Sequence, residues 1–63
     1  MNPEELLDNR QTAEWLKIKP VTLDIWRSQR KGPPYLKLHR TIRYRRTDVA
    51  AWLAAKLQET EAA

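Results

Sequence analysis

Apolar residues recur at helical spacing near the start of the chain, alternate strictly in its middle, and return to helical spacing near its end. Thr12, Ala13, Trp15 and Leu16 form a short stripe that predicts a helix over 9–17. Asp8 supplies its cap, Gln11 stands three residues on to complete a capping box, and Leu7 is placed to pack as a staple on the first turn. Residues 1–6 show no period and read as a frayed arm. Pro20 opens a second helix, because its fixed φ suits a first helical position, and Lys19 before it is a weak cap without a side-chain acceptor. That helix is predicted to reach Arg30, with Leu23, Trp26 and the stem of Arg27 or Arg30 on one face and Val21, Thr22, Ile25 and Ser28 on others. Gly32-Pro33-Pro34 ends it.

Strict alternation follows. Leu36 and Leu38 stand against Lys37, then Ile42 and Tyr44 against Arg43 and Arg45, which predicts two strands joined through His39-Arg40-Thr41 in a tight hairpin. Lys37, Arg43 and Arg45 are then expected on one face, with Arg40 at the tip. Thr47 caps a third helix whose first residue, Asp48, complements the positive end of the helix dipole. Val49, Trp52, Leu53 and Leu57 make its stripe, and the tail after Gln58 reads as frayed. The order helix, helix, hairpin, helix predicts a mainly α fold with a small β-hairpin, a winged helix-turn-helix. It is expected as a single domain over 1–63 with an ordered core of 6–58.

Sixty-three residues enclose only a small core, and a chain with no cysteine and one histidine has neither a disulfide framework nor a zinc cluster to reinforce it. The three Trp and two Tyr are therefore expected to supply much of the buried area, and Trp26→Ala or Trp52→Ala to unfold the domain. No apolar run approaches the ~20 residues that span a bilayer, and the first residues are acidic where a signal peptide would be basic, so a cytoplasmic protein without membrane contact is expected. No nucleophile stands with a paired base, and no glycine-rich phosphate loop or catalytic carboxylate pair is present. Enzymatic activity, a cofactor and a small-molecule substrate are accordingly not expected, and His39 has no second ligand for a metal.

Charge changes the picture most. Between Ile25 and Thr47 the chain has eight basic residues and no acidic one, while the remainder has four basic and eight acidic. Such segregation points to a polyanion, and the regular apolar spacing inside the block points to a folded surface rather than a tail. Double-stranded DNA is the expected partner. On the second helix, Lys19, Val21, Thr22, Ile25, Arg27 and Ser28 are candidate contacts: the hydroxyls can bond base edges, and Val21 or Ile25 can meet a thymine methyl unless they are buried against the fold. On the wing the candidates are Lys37, His39, Arg40, Thr41, Arg43 and Arg45. Asp24 either accepts from a cytosine amino group or is tied up with Arg27 or Ser28. Arg27, Arg30 and Lys31 have an account in the helix dipole alone, which leaves five cations for DNA. A protein-interaction module docking its basic face on an acidic partner is the alternative from another class.

The runs Leu7-Asp8-Asn9-Arg10-Gln11-Thr12-Ala13-Glu14-Trp15-Leu16, Gly32-Pro33-Pro34-Tyr35 and Ile42-Arg43-Tyr44-Arg45-Arg46-Thr47-Asp48-Val49-Ala50-Ala51-Trp52-Leu53 resemble the excisionase and AlpA-type winged helix-turn-helix family, relatives of the MerR DNA-binding domain. The resemblance covers 6–57, and the stretch from Tyr44 to Leu53 is its specific part. It implies a bacterial, phage or mobile-element protein at the nucleoid, acting as a recombination directionality factor beside an integrase or further copies of itself, or as a small transcriptional regulator. It also places Thr22 and its exposed neighbours in the recognition helix and Arg40 to Arg43 in the wing. The chain departs from the pattern where Lys17 and Lys19 replace a glycine and a serine cap, where His39 replaces a glycine in the wing turn, and at Asp24.

Overall fold

The structure, a computed structural model, describes residues 5–62, with side chains to residue 60. Its elements are β1 (Leu6–Leu7), α1 (Asn9–Leu16), α2 (Pro20–Ser28), β2 (Leu36–Leu38), β3 (Thr41–Arg45) and α3 (Arg46–Ala62). Three helices and a small antiparallel sheet make the mainly helical, winged helix-turn-helix architecture that the sequence pattern predicts.

Local chemistry accounts for the helix ends. Asp8 accepts from the N–H of Gln11 at 2.7 Å and Gln11 accepts from the N–H of Asp8 at 2.9 Å, which completes the capping box. At the other end of α1 the N–H of Lys17 bonds to the Glu14 carbonyl and that of Ile18 to the Ala13 carbonyl, a Schellman closure with Lys17 at a left-handed φ of 60°. Helix α2 starts at Pro20 without a side-chain cap and closes the same way, two residues earlier than predicted. There the N–H of Arg30 bonds to the Arg27 carbonyl and that of Lys31 to the Trp26 carbonyl, with Arg30 at a φ of 59°. Asn9 Nδ2 donates to the Pro20 carbonyl at 3.2 Å and ties the first turns of α1 and α2 together.

The sheet corrects the sequence reading in two places. Its order is β1-β3-β2, and β1 falls where the frayed arm was expected to end: Leu6 pairs with Arg45, Leu7 with Tyr44, and the Arg46 N–H bonds to the Glu5 carbonyl. Two residues carry no period, and their partners lie far along the chain, so no local pattern marks them. Residues 1–4 of the expected arm lie outside the described residues. The hairpin turn is the second correction. It holds two residues, His39 and Arg40, and Thr41 belongs to β3, so the register is Leu36↔Arg43, Lys37↔Ile42 and Leu38↔Thr41.

A one-residue slip exchanges the faces of a strand. Lys37 consequently shares a face with Ile42 and Tyr44, while Arg43 and Arg45 share the other with Leu6, Leu36 and Leu38. The cations do not all emerge from one face, as expected, but from both. Among the described residues only His39 in this turn has a positive φ, 60°, the pattern of a type II′ turn whose first central position favours glycine. Lys17, Arg30 and His39 thus hold left-handed backbone with side chains attached, at about 1–2 kcal/mol each relative to glycine.

Helix α3 follows β3 without a linker. It begins at Arg46, so Thr47 lies inside the helix rather than capping it, and it continues to Ala62 past the expected end at Gln58. The buried core comprises Leu7, Ala13, Leu23, Tyr44 and Val49, with Thr12 beside them donating its hydroxyl to the Asp8 carbonyl. Trp15, Trp26 and Leu53 pack half-buried around this centre, Trp52 is half-buried against Trp26, and Leu57 is exposed. The tryptophans therefore shield the core rather than form it. Trp26 and Trp52 meet with centroids 5.7 Å apart.

Gly32 has a φ of +83° and lies on Trp26: a Cβ there would stand 2.8 Å from Cε3 of that ring. Gly32→Ala combines a left-handed backbone penalty with overpacking and is expected to cost about 2 kcal/mol. Chemical denaturation of the two proteins measures it; equal midpoints would contradict the close approach.

Candidate nucleic-acid interface

Five of the six candidates on α2 lie toward solvent to differing degrees. Lys19, Val21, Ile25 and Ser28 are exposed, at 54% for Val21 and 48% for Ile25, so neither aliphatic residue is buried against the fold. Thr22 is half-buried. The Ser28 hydroxyl donates to the Ile25 carbonyl at 2.7 Å, so its own proton is already engaged and only acceptor capacity is left for a ligand. Two exposed aliphatic side chains one turn apart on a helix, with Leu23 and Trp26 turned the other way, leave an apolar strip that the domain itself does not use.

Arg27 departs from the expectation that it faces DNA. Nη1 donates to Asn9 Oδ1 at 2.6 Å and to the Tyr44 hydroxyl at 2.8 Å, Nη2 pairs with Asp24, and the guanidinium lies over the Tyr35 ring at 5.9 Å. Burial works against this charge, but the bonds to Tyr44 and Asp24 outweigh it and hold the guanidinium above its ordinary pKa. One side chain thereby links α1, α2 and β3, and sets α2 against the sheet that carries the wing. Asp24 is occupied by Arg27 on the same helix.

Ion pairing sorts the remaining basic residues. Arg45 Nε bonds to Asp48 at 2.8 Å, and Arg46 Nε reaches Glu5 at 3.3 Å while its guanidinium covers the Trp15 ring at 5.1 Å. With Arg27, these account for three of the eight cations of the acid-free block. Arg30, Lys31, Lys37, Arg40 and Arg43 have no carboxylate partner among the described residues. Of the five cations that the sequence reading assigns to DNA, Arg45 and Arg46 are paired with carboxylates, while Arg30 and Lys31, which it assigns to the helix dipole, are not. The Arg45–Asp48 pair is local, three residues apart at the start of α3, whereas Arg46 meets Glu5 only through the β1 pairing, which no local pattern marks.

The wing candidates are set out along the hairpin. His39 and Arg40 form its exposed turn, Thr41 and Lys37 are exposed on the strands, and Arg43 is half-buried with Nη1 bonded to the Ile42 carbonyl at 2.8 Å. Beside the base of the hairpin, Arg30 and Lys31 line a shallow open recess of about 440 Å³ with Pro34 and Tyr35, and Arg27 reaches it from α2. No helix among the described residues is long and apolar enough to cross a membrane.

A family model for a helix-turn-helix domain matches residues 6–57. No curated protein matches the chain.

Proposed function

Because the chain belongs to the helix-turn-helix domain family, whose fold implies DNA binding, we propose that it reads a specific double-stranded DNA sequence as an excisionase-type accessory factor in recombination. In this reading α2 enters the major groove and the β2–β3 hairpin follows the adjacent backbone or minor groove. The observation that carries it is the outer strip of α2, where Val21 and Ile25 stand exposed without a partner beside a wing with three unpaired cations. Such aliphatic side chains suit thymine methyl groups, and Lys19, Thr22 and Ser28 supply polar contacts around them. Lys37, Arg40 and Arg43 supply backbone charge from both faces of the wing, with His39 in its turn, Thr41 at the start of β3 and Arg45 held back on Asp48. Integrase or further copies of the chain would be the partners on adjacent sites, since a single module buries only about 600–1,000 Å² of surface.

Selection of binding sites from random duplex DNA, followed by salt titration on the winner and a scrambled duplex, tests the reading. An enriched site is expected, with log K falling against log[salt] at a slope near −4 to −5 for about five neutralised phosphates. A flat titration with no enriched site would instead favour an acidic protein partner.

A further inference from the structure

The recess at the end of α2 contains two charges that no acid in the described structure neutralises and that the dipole account does not require. Arg27 already occupies the last turn of α2, and Arg30 and Lys31 lie beyond the helix end. Their backbone is rigid: the Schellman bonds hold the Arg30 and Lys31 amides, Gly32 presses on Trp26, and buried Pro33 and then Pro34 follow. Arg30 also occupies a left-handed position, φ 59°, where glycine would relieve strain. Lys17 closes α1 with the same left-handed backbone and does not line the recess, so the backbone by itself marks no site. The surroundings of Arg30 do, because Arg30 and Lys31 line the 440 Å³ recess with the Tyr35 ring and Pro34 as wall and the Arg27 guanidinium held over Tyr35.

We propose that this recess is a phosphodiester subsite, in which Arg30 and Lys31 grip the backbone of the DNA strand flanking the groove entered by α2. The assignment rests on the DNA-binding reading above and adds to it a contact separate from the wing. It gives the protein three points of engagement: the outer strip of α2, the recess at its end, and the hairpin. Phosphate contacts of this kind set register and carry no sequence information. Arg30 and Lys31 therefore govern affinity for any duplex, and the preferred site stays with Val21 and Ile25.

Arg30→Gly separates the two roles of the residue. It removes the charge and relaxes the backbone, so the variant should melt higher by roughly 4–8 °C while its salt slope on both the selected and the scrambled duplex falls by about 1. Lys31→Ala should lower the slope by a similar amount at unchanged melting temperature. Arg10→Ala, which removes an exposed charge from α1, should leave the slope where it was. A more stable Arg30→Gly protein with wild-type affinity and slope overturns the subsite and leaves the wider DNA interface standing. So does an equal loss in Arg10→Ala, which would make the effect one of bulk charge. Inorganic phosphate at matched ionic strength should not raise the melting temperature; if it does, the recess takes free anions and the strand contact is wrong. Wild-type protein that binds no duplex overturns both readings together.

Discussion

Tyr44→Ala is expected to leave the chain unfolded at room temperature. Tyr44 is 1% exposed and the largest fully buried side chain, and it sits in the central strand between β1 and β2. Removing a large aromatic from such a position costs about 3–5 kcal/mol, and a core of this size supplies little more than that in total. Leu23→Ala, at 0% exposure on the inner face of α2, is expected to follow it with a loss of about 2–5 kcal/mol. Tyr44→Phe isolates the hydroxyl: it keeps the ring but deprives Arg27 of an acceptor at 2.8 Å. With about 1.5 kcal/mol for a hydrogen bond to a charged group, the melting temperature should drop by roughly 6–12 °C. Circular dichroism melts of the three variants decide this. If Tyr44→Ala melts cooperatively near the wild type, the strand does not form the centre of the core.

Arg40→Ala with Arg43→Ala is expected to have the largest effect on binding. Both cations lack a carboxylate among the described residues, one in the turn and one on the face opposite Lys37. Two lost phosphate contacts at a slope near −0.9 each amount to roughly a 30-fold weakening at 0.15 M salt relative to 1 M, on selected and scrambled DNA alike. Arg45→Ala should change the slope less, because its charge is already offset by Asp48 at 2.8 Å. Fluorescence anisotropy across a salt series measures all three. Unchanged affinity in the double variant would take the hairpin out of the interface, and a loss confined to the selected duplex would make Arg43 or Arg40 a base reader instead.

Both results depend on features that differ in how far sequence reveals them. The capping box at Asp8 and Gln11, the Pro20 start and the alternation from Leu36 to Tyr44 are all local, and each is found where the chain predicts it, whereas α2 already closes at Ser28 with Arg30 left-handed ahead of Gly32. The outward aim of Val21 and Ile25 was also legible, because helical periodicity separates them from Leu23 and Trp26. Lys17 and His39, two of the departures from the family pattern that the sequence resembles, both hold backbone of positive φ. The small size of the core was legible from the chain length, but the rank of its members was not. Aromatic content pointed to three Trp and two Tyr alike, whereas only Tyr44, on the central strand of the sheet, is fully buried.

Sequence by itself determined the order of elements, the two helices of the turn, the hairpin and the segregation of basic charge, because each depends on residues within a few positions of one another. Tertiary structure alone decided the third strand, the wing register and the pairing of Arg46 with Glu5. A turn shorter by one residue moves Lys37 to the other face, and Glu5 meets Arg46 only because β1 pairs with β3 across most of the chain. Pairing between distant residues follows from the global minimum of packing and hydrogen bonding, which no local period encodes.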